Sequence, residues 1–246
     1  MTLHTVRRIS AAVALAFAAA ATVPAAPALA APAAPQPGYT KESHEIITKD
    51  NSVLILIDHQ PQTIFGIASH DRQTIINNVE ALAKTAKVFG IPTILTTVAA
   101  DSFTGPLIPE IRRVFPDQEV YDRSTLNAWA DKRIVDAVKK TGRKKLIFAG
   151  TWTELCLALP VLSAVEAGYE VYFVADASGG SSLEAHQLAI QRMVQAGAHP
   201  LTWIGVISEL QYDWANKATY DAVTRIVTEH GGSWGAGIIY SRSLRK

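Results

Sequence analysis

Short, continuous apolar runs rich in β-branched residues recur along the chain and predict buried strands. The clearest runs cover residues 53–57, 92–97, 145–149 and 170–174, with a weaker run at 200–203. Because these runs do not alternate with polar residues, we expect strands that are covered on both faces. A further short strand is predicted at 118–121.

Helical patterns separate these strands and cover residues 74–89, 130–140, 153–167 and 183–196. Three of them end at a glycine in a natural C-cap position, namely Gly90, Gly168 and Gly197. Strands that alternate with helices at this spacing form right-handed βαβ units. The sequence therefore predicts an α/β fold, a three-layer α/β/α sandwich with a mainly parallel sheet and Rossmann-like topology.

The N-terminal segment has the pattern of an export signal. Arg7 and Arg8 precede an apolar, alanine-rich run, and Ala28-Leu29-Ala30 offers small residues for cleavage. We predict a signal peptide over 1–30 and an exported protein, periplasmic or secreted, with no stable membrane anchor after cleavage. Export by the Sec or the twin-arginine route is left open. The alanine- and proline-rich residues 31–45 are predicted to form a flexible leader.

The remaining chain divides into one predicted globular domain over 46–215 and an extension over 216–246. The end of the chain carries four aromatic residues, Trp214, Tyr220, Trp234 and Tyr240. Two glycine pairs interrupt its helical pattern, so we expect an extended arm that anchors a neighbouring subunit of a homo-oligomer. The alternative is a tail that folds back on its own domain.

Composition excludes several classes of protein. The formal net charge is +1 with no basic stripe, so no nucleic-acid partner is expected. Cys156 is the single cysteine, so the fold is not a disulfide scaffold. A lone thiol in an oxidising compartment needs either burial or a use. The seven histidines show no metal-ligand spacing.

Polar residues follow the predicted strands where a parallel sheet binds its ligands, at the carboxyl ends. Asp58 and Gln60 follow the first strand, Arg123 the third, Cys156 the fourth and Asp176 the fifth. An acid, a base and a thiol are thus expected at one edge of the sheet.

Each of these residues also has a structural interpretation. Asp58 could cap a helix or turn, Arg123 could form an ordinary ion pair, and Asp176 could organise its glycine-rich loop. Cys156 begins a predicted helix, where the helix dipole favours a thiolate, but buried cysteines often act only as small apolar residues.

Four segments together resemble the isochorismatase-like cysteine hydrolases. They are Leu56-Ile57-Asp58-His59-Gln60, residues 91–97 (IPTILTT), residues 149–156 (AGTWTELC) and residues 174–179 (VADASG). The resemblance covers roughly 51–214. Within that family, the sequence is most similar to the YcaC-like branch. The similarity lies in Arg123 with residues 127–129 (NAW), and in residues 197–198 (GA) with residues 202–203 (TW).

The resemblance implies a catalytic triad of Asp58, Arg123 and Cys156. The family usually has a lysine where this sequence has Arg123. A guanidinium stays charged, so Arg123 is expected to lower the thiol pKa and hold Asp58 without relaying protons. Asp58 would accept the thiol proton and later donate it to the leaving group.

The resemblance also implies an oxyanion hole. Its donors would be the backbone N–H groups of Trp152 and Cys156, with a cis peptide bond between Thr151 and Trp152. Gln60, Thr151 and Trp152 are the expected substrate-binding residues. Trp152 could instead serve only as a packing aromatic.

The expected activity is hydrolysis of a C–N bond in a small amide-type substrate through a covalent thioester, without a cofactor. The segment 98–103 lacks the Asp-x-His pattern that holds a metal in some family members, so we expect no metal. Two alternatives remain open. One is a thiol-redox protein that uses Cys156; the other is a non-catalytic α/β small-molecule-binding protein.

Overall fold

A computed structural model of the protein describes residues 46–244. The predicted signal peptide and leader therefore lie outside the described residues. Six strands form one parallel sheet in the order β3-β2-β1-β4-β5-β6. The strands are β1 (Ser52–Ile57), β2 (Thr93–Val98), β3 (Val120–Arg123), β4 (Lys145–Gly150), β5 (Glu170–Val174) and β6 (His199–Leu201).

Nine α-helices accompany the strands within residues 46–244. They are α1 (Pro61–Phe65), α2 (Arg72–Phe89), α3 (Pro109–Val114), α4 (Lys132–Lys140), α5 (Ala158–Glu166), α6 (Leu183–Gln195), α7 (Trp203–Gln211), α8 (Lys217–His230) and α9 (Ser233–Ser243). Short 3₁₀ turns cover Ala128–Ala130 and Ala175–Ala177, and a π-helical turn over Thr153–Leu157 leads into α5.

The sheet is buried on both faces, which confirms the three-layer α/β/α prediction. Leu54 and Leu56 of β1 belong to an apolar cluster with side chains of α2, α7 and α8. Val53, Ile55 and Ile57 point to the other face and join a cluster with side chains of α4, α5 and α6. Apolar residues at every position of the strand are explained by this double coverage.

Several predicted boundaries shift by one to three residues. The third strand runs to Arg123, so Arg123 ends the strand rather than following it. The last strand ends at Leu201, and Trp203 begins α7. The predicted helix over 153–167 begins as a π-helical turn, which places Cys156 in an irregular segment.

The prediction of an extended C-terminal arm is wrong, and so is the domain boundary at 215. Helices α8 and α9 continue the domain, and Val223 and Val227 lie in the same core cluster as the sheet. Gly235 does not break the helix. It allows α9 to cross α8 closely, because a Cβ there would lie 2.6 Å from the carbonyl oxygen of Val227. The tail therefore folds back on its own domain.

Among residues 46–244, none of the helices combines the length and apolarity needed to cross a bilayer.

Candidate active site

The structure brings Asp58, Arg123 and Cys156 together at the carboxyl edge of the sheet. Asp58 directly follows β1, Arg123 ends β3 and Cys156 lies in the π-helical turn after β4. Since β1 lies between β2 and β4, residues distant in sequence meet at this edge. Asp58 is completely buried, and Arg123 and Cys156 are 6% and 5% exposed.

A two-pronged ion pair joins Arg123 to Asp58. Guanidinium Nη1 donates to Asp58 Oδ1 at 2.6 Å, and Nη2 donates to Oδ2 at 2.8 Å. The same nitrogens also donate to the carbonyl oxygens of Thr97 at 2.9 Å and Leu126 at 3.3 Å. Arg123 Nε is buried without a hydrogen-bond partner among the described residues. Parallel N–H donors of this kind fix both the position and the plane of the carboxylate.

The thiol of Cys156 lies beside the Asp58 carboxylate, and the two groups interact electrostatically. Burial, followed by the negative charge of Asp58, raises the pKa of Cys156 to about 12, while the charge of Arg123 opposes that rise. The expected lowering of the thiol pKa is therefore wrong. The physical reason is that burial of the thiol, together with the negative charge of Asp58, outweighs the charge of Arg123.

Opposing influences act on the pKa of the Asp58 carboxyl. Burial raises the pKa of its carboxyl above the ordinary value, and the hydrogen bonds and charge of Arg123 act in the opposite direction. A buried carboxylate with a raised pKa is a stronger base than an exposed one. Asp58 is thus suited to accept a proton from the adjacent thiol.

The peptide bond between Thr151 and Trp152 is cis, as the sequence resemblance implied. It lies directly before the π-helical turn that holds Cys156. The backbone N–H of Trp152 lies within hydrogen-bonding reach of the Cys156 sulfur. A backbone donor therefore lies beside the sulfur atom.

The indole of Trp152 is held in place on the other side. Its Nε1–H donates to the carbonyl oxygen of Thr63 at 2.8 Å. The ring lies against Gly66, where a Cβ would come within 2.5 Å of Trp152 Cζ2. Trp152 is half-buried, so part of the ring remains open to solvent.

Gln60 has a structural role that replaces the predicted substrate contact. The side chain is completely buried, and Oε1 accepts from the Val98 N–H at 2.9 Å. Nε2 lies 2.7 Å from Thr104 Oγ1 and 2.6 Å from the Gly105 carbonyl oxygen. The amide therefore anchors the loop after β2, and both of its polar atoms have partners in that loop.

Thr151 was also predicted to bind substrate, and its side chain is likewise used within the protein. It is completely buried, and its hydroxyl lies 2.9 Å from Thr63 Oγ1 and also donates to the Asp58 carbonyl oxygen. Thr63 itself was not predicted from the sequence. Its one local signal is its position three residues after Gln60, where a side chain can bond back to the start of α1.

The outcome at Asp176 favours its structural interpretation. Its Oδ1 accepts from the backbone N–H of Trp203 at 2.9 Å and so holds the start of α7. Within residues 46–244, no three or more His, Cys, Asp or Glu side chains are placed to hold a metal ion together. Metal independence of the activity stays a prediction.

Comparison with known proteins gives a consistent picture. Residues 52–204 match the family model of the isochorismatase domain. The chain is 43% identical over 171 residues to the probable hydrolase YcaC of Escherichia coli strain K12, an alignment that covers 69% of this chain and 82% of the relative.

Two solved structures support the same relationship. YcaC from Pseudomonas aeruginosa, with hexane-2,5-diol and covalent acrylamide, is 37% identical with a TM-score of 0.77, covering 82% of this chain and 98% of that one. YcaC from Escherichia coli, described as an octameric hydrolase of unknown specificity, is 38% identical with a TM-score of 0.78 and the same coverage of 82% and 98%. Fold and sequence together show that the chain belongs to the isochorismatase family, in its YcaC-like branch.

Proposed function

We propose that the protein is a cysteine hydrolase that cleaves the C–N bond of a small amide through a thioester on Cys156. The observation that carries this proposal is the placement of the Cys156 thiol beside the buried Asp58 carboxylate, whose two oxygens accept hydrogen bonds from Arg123. A nucleophile, its base and an orienting group in contact form the usual arrangement for covalent catalysis.

The first half of the reaction follows from this geometry. Because the thiol pKa is raised, Cys156 is protonated at neutral pH, and its proton passes to Asp58 as the sulfur attacks the substrate carbonyl carbon. The S–C bond forms while the carbonyl oxygen becomes an oxyanion. The backbone N–H groups of Trp152 and Cys156 are the proposed donors to that oxyanion. Arg123 stays charged throughout and holds Asp58 in place.

The second half releases both products. Protonated Asp58 gives its proton to the amide nitrogen, the C–N bond breaks and the amine leaves. Asp58 then takes a proton from a water molecule that attacks the thioester. The S–C bond breaks, the carboxylic acid leaves, and Asp58 returns its proton to the sulfur to restore the thiol. No step needs a cofactor or a metal ion.

One relative supports a reactive nucleophile in this branch. The Pseudomonas aeruginosa protein carries a covalent acrylamide, and acrylamide is an electrophile that adds to nucleophiles such as thiols. By contrast, redox-sensing cysteines have a lowered pKa and an accessible sulfur, whereas Cys156 has a raised pKa and is 5% exposed. These features favour the hydrolase over the thiol-redox alternative.

Intact-mass analysis after incubation with a library of small amides tests the proposal. The expected result is a mass increase equal to the substrate minus its amine, together with release of the amine. Cys156→Ser is the control, since it should lose the thioester while keeping the size of the side chain. Absence of any adduct, with a folded wild-type protein, would leave the non-catalytic binding protein as the better interpretation.

We further propose that the protein is exported and forms a homo-oligomer without nucleic acid as a partner. The signal-like pattern around Arg7 and Arg8 supports export, and the near-neutral charge argues against nucleic acid. The octameric state of the Escherichia coli relative supports assembly. Mass determination of the protein recovered from the periplasm or medium tests export, because cleavage after Ala30 predicts a mature chain that begins at Ala31.

A further inference from the structure

Asp58 has an unusual backbone conformation for a residue with a side chain. Its φ is 56°, in the left-handed region, although it is not a glycine. Its N–H still donates to the Thr96 carbonyl oxygen at 3.0 Å, as a continuation of the sheet. The backbone therefore turns at Asp58 itself, and this turn directs the carboxylate toward Arg123 and Cys156.

The carbonyl oxygen of Asp58 accepts three hydrogen bonds that hold this turn. The Gln60 N–H donates to it at 2.8 Å, and Thr63 Oγ1 lies 2.5 Å from it. The third donor is the hydroxyl of Thr151. Two of the three bonds thus come from threonine side chains, one five residues and the other 93 residues after Asp58 in the chain.

The two threonine hydroxyls also contact each other and connect two parts of the site. Thr63 lies in α1, whereas Thr151 forms the cis peptide bond with Trp152, and their oxygens are 2.9 Å apart. Thr63 is 8% exposed and Thr151 is completely buried. Thr151 therefore links the Asp58 carbonyl to the peptide bond of the proposed oxyanion donor, and Thr63 links the same carbonyl to α1.

We propose that Thr63 and Thr151 are positioning residues that fix the Asp58 backbone and hold its carboxylate in register with the Trp152 N–H. This inference rests on the proposed function, since it assigns the groups that place the proton acceptor. Neither hydroxyl contacts the sulfur or the carboxylate in the hydrogen bonds described, so both act through Asp58. Valine has the shape of threonine but lacks the O–H donor, whereas serine keeps the donor.

The experiment compares Thr63→Val and Thr151→Val with the corresponding serine variants in the full-length protein. Thr85→Val is the matched control, because Thr85 is also completely buried and its hydroxyl bonds only to the Ala81 carbonyl oxygen in α2. The first readout is the pH profile of Cys156 alkylation by iodoacetamide. The second is the rate of acyl-adduct formation, and thermal unfolding verifies that each variant is folded.

Both valine variants should lower the midpoint pH of alkylation by about one unit, because a displaced carboxylate no longer holds the proton on the thiol. Acylation should fall about tenfold, a fraction of what a positioned base contributes. The serine variants should restore the alkylation midpoint, and their acylation rates should lie within about threefold of wild type. Since the two hydroxyls bond to the same carbonyl oxygen, their effects should not add. The double valine variant should lose no more acylation activity than the less active of the two single variants.

An unchanged midpoint in Thr63→Val and Thr151→Val would overturn the proposal, and so would an equal shift in Thr85→Val. If a valine variant does not fold, the alanine variant at the same position replaces it, since alanine removes the hydroxyl without adding bulk. The proposed function fails separately. A shifted midpoint without an acyl adduct from any amide would retain the positioning role and reject the hydrolase.

Discussion

Arg123 and Asp58 form a buried pair in which two guanidinium nitrogens meet two carboxylate oxygens at 2.6 and 2.8 Å. A lysine ammonium is a single point charge and does not reproduce this planar fork. The pair also uses the guanidinium to hold the carbonyl oxygens of Thr97 and Leu126. The arginine at this position therefore fixes the geometry of Asp58 in a way that the usual family lysine would not.

Substitution of Arg123 separates its charge from its geometry. Arg123→Met leaves a buried carboxylate unpaired and should cost about 3–5 kcal/mol of stability. Arg123→Lys keeps the cation, so it should lose less stability and retain more acylation activity. Urea unfolding and acylation rates measure the two effects. Equal activity in the lysine and methionine variants would mean that the charge has no catalytic part.

Removal of the negative charge beside Cys156 should change alkylation and hydrolysis in opposite directions. In Asp58→Asn, the charge that raises the thiol pKa is gone and Arg123 remains, so iodoacetamide should react faster at pH 8. Hydrolysis should fall about 10²-fold or more, because the amide cannot accept the thiol proton. Asp176→Asn is the control. Asp176 is an acid that follows β5, and its carboxylate holds the start of α7. Slower alkylation in Asp58→Asn would contradict the assigned contact.

The raised thiol pKa also predicts how stability depends on pH. The folded protein keeps the Cys156 proton up to a pKa of about 12, whereas an unfolded thiol releases it near pH 8.5. The folded state therefore binds more protons above pH 8.5, and its stability should fall as the pH rises through that window. Cys156→Ala lacks this titration. When the free energy of unfolding is plotted against pH, the curves of the wild type and the variant should therefore converge from pH 8.5 to 11. Parallel curves would place the thiol pKa near its free value.

Substitution of Gly66 tests the position of the Trp152 indole while leaving Asp58, Arg123 and Cys156 unchanged. The φ of Gly66 is −77°, so alanine is acceptable to the backbone, but a Cβ would lie 2.5 Å from Trp152 Cζ2. Gly66→Ala should displace the indole, break its hydrogen bond to Thr63 and reduce acylation about tenfold, at a cost of about 1–3 kcal/mol. Gly237→Ala is the control, because a Cβ there meets no atom within 4 Å. Full activity in Gly66→Ala would show that the ring position is not needed.

The sheet and the three central residues could be predicted from the sequence because they depend on simple patterns. Continuous apolar runs indicate strands buried on both faces, and the carboxyl ends of parallel strands must meet at one edge. Asp58, Arg123 and Cys156 each follow or end such a strand. Their convergence is thus a consequence of topology rather than of side-chain detail.

What the sequence did not reveal depends on atomic contacts. The direction of the Cys156 pKa shift is set first by burial of the thiol and then by the charge of Asp58, and neither can be read from residue types alone. Gln60 follows a strand as a ligand would, yet its amide is used within the loop after β2. Gly235 is a residue type that usually interrupts helices, but here it allows α9 to pack closely against α8. In each case one residue type fits two roles, and a distance decides between them.

Assembly can be tested on the outer face of α9. Trp234 and Ile238 pack against the core of their own domain, and Trp214 contacts both Trp234 and Tyr220. On the outer face, Ile239 and Tyr240 are 58% and 67% exposed. An apolar pair this exposed is a reasonable contact for a second copy, given the octameric relative that aligns over 98% of its length.

Light scattering on the mature protein should give a mass several times that of one chain, and a double variant of Ile239→Asp with Tyr240→Asp should lower it. These substitutions leave the inward Trp234 and Ile238 in place, so the domain should stay folded, unlike a truncation after His230. Leu188→Asp on α6 is the matched control, as Leu188 is 56% exposed on the opposite face of the sheet. A monomeric wild-type protein would reject assembly altogether. An oligomer that loses mass equally in the control variant would show that α9 is not its specific contact.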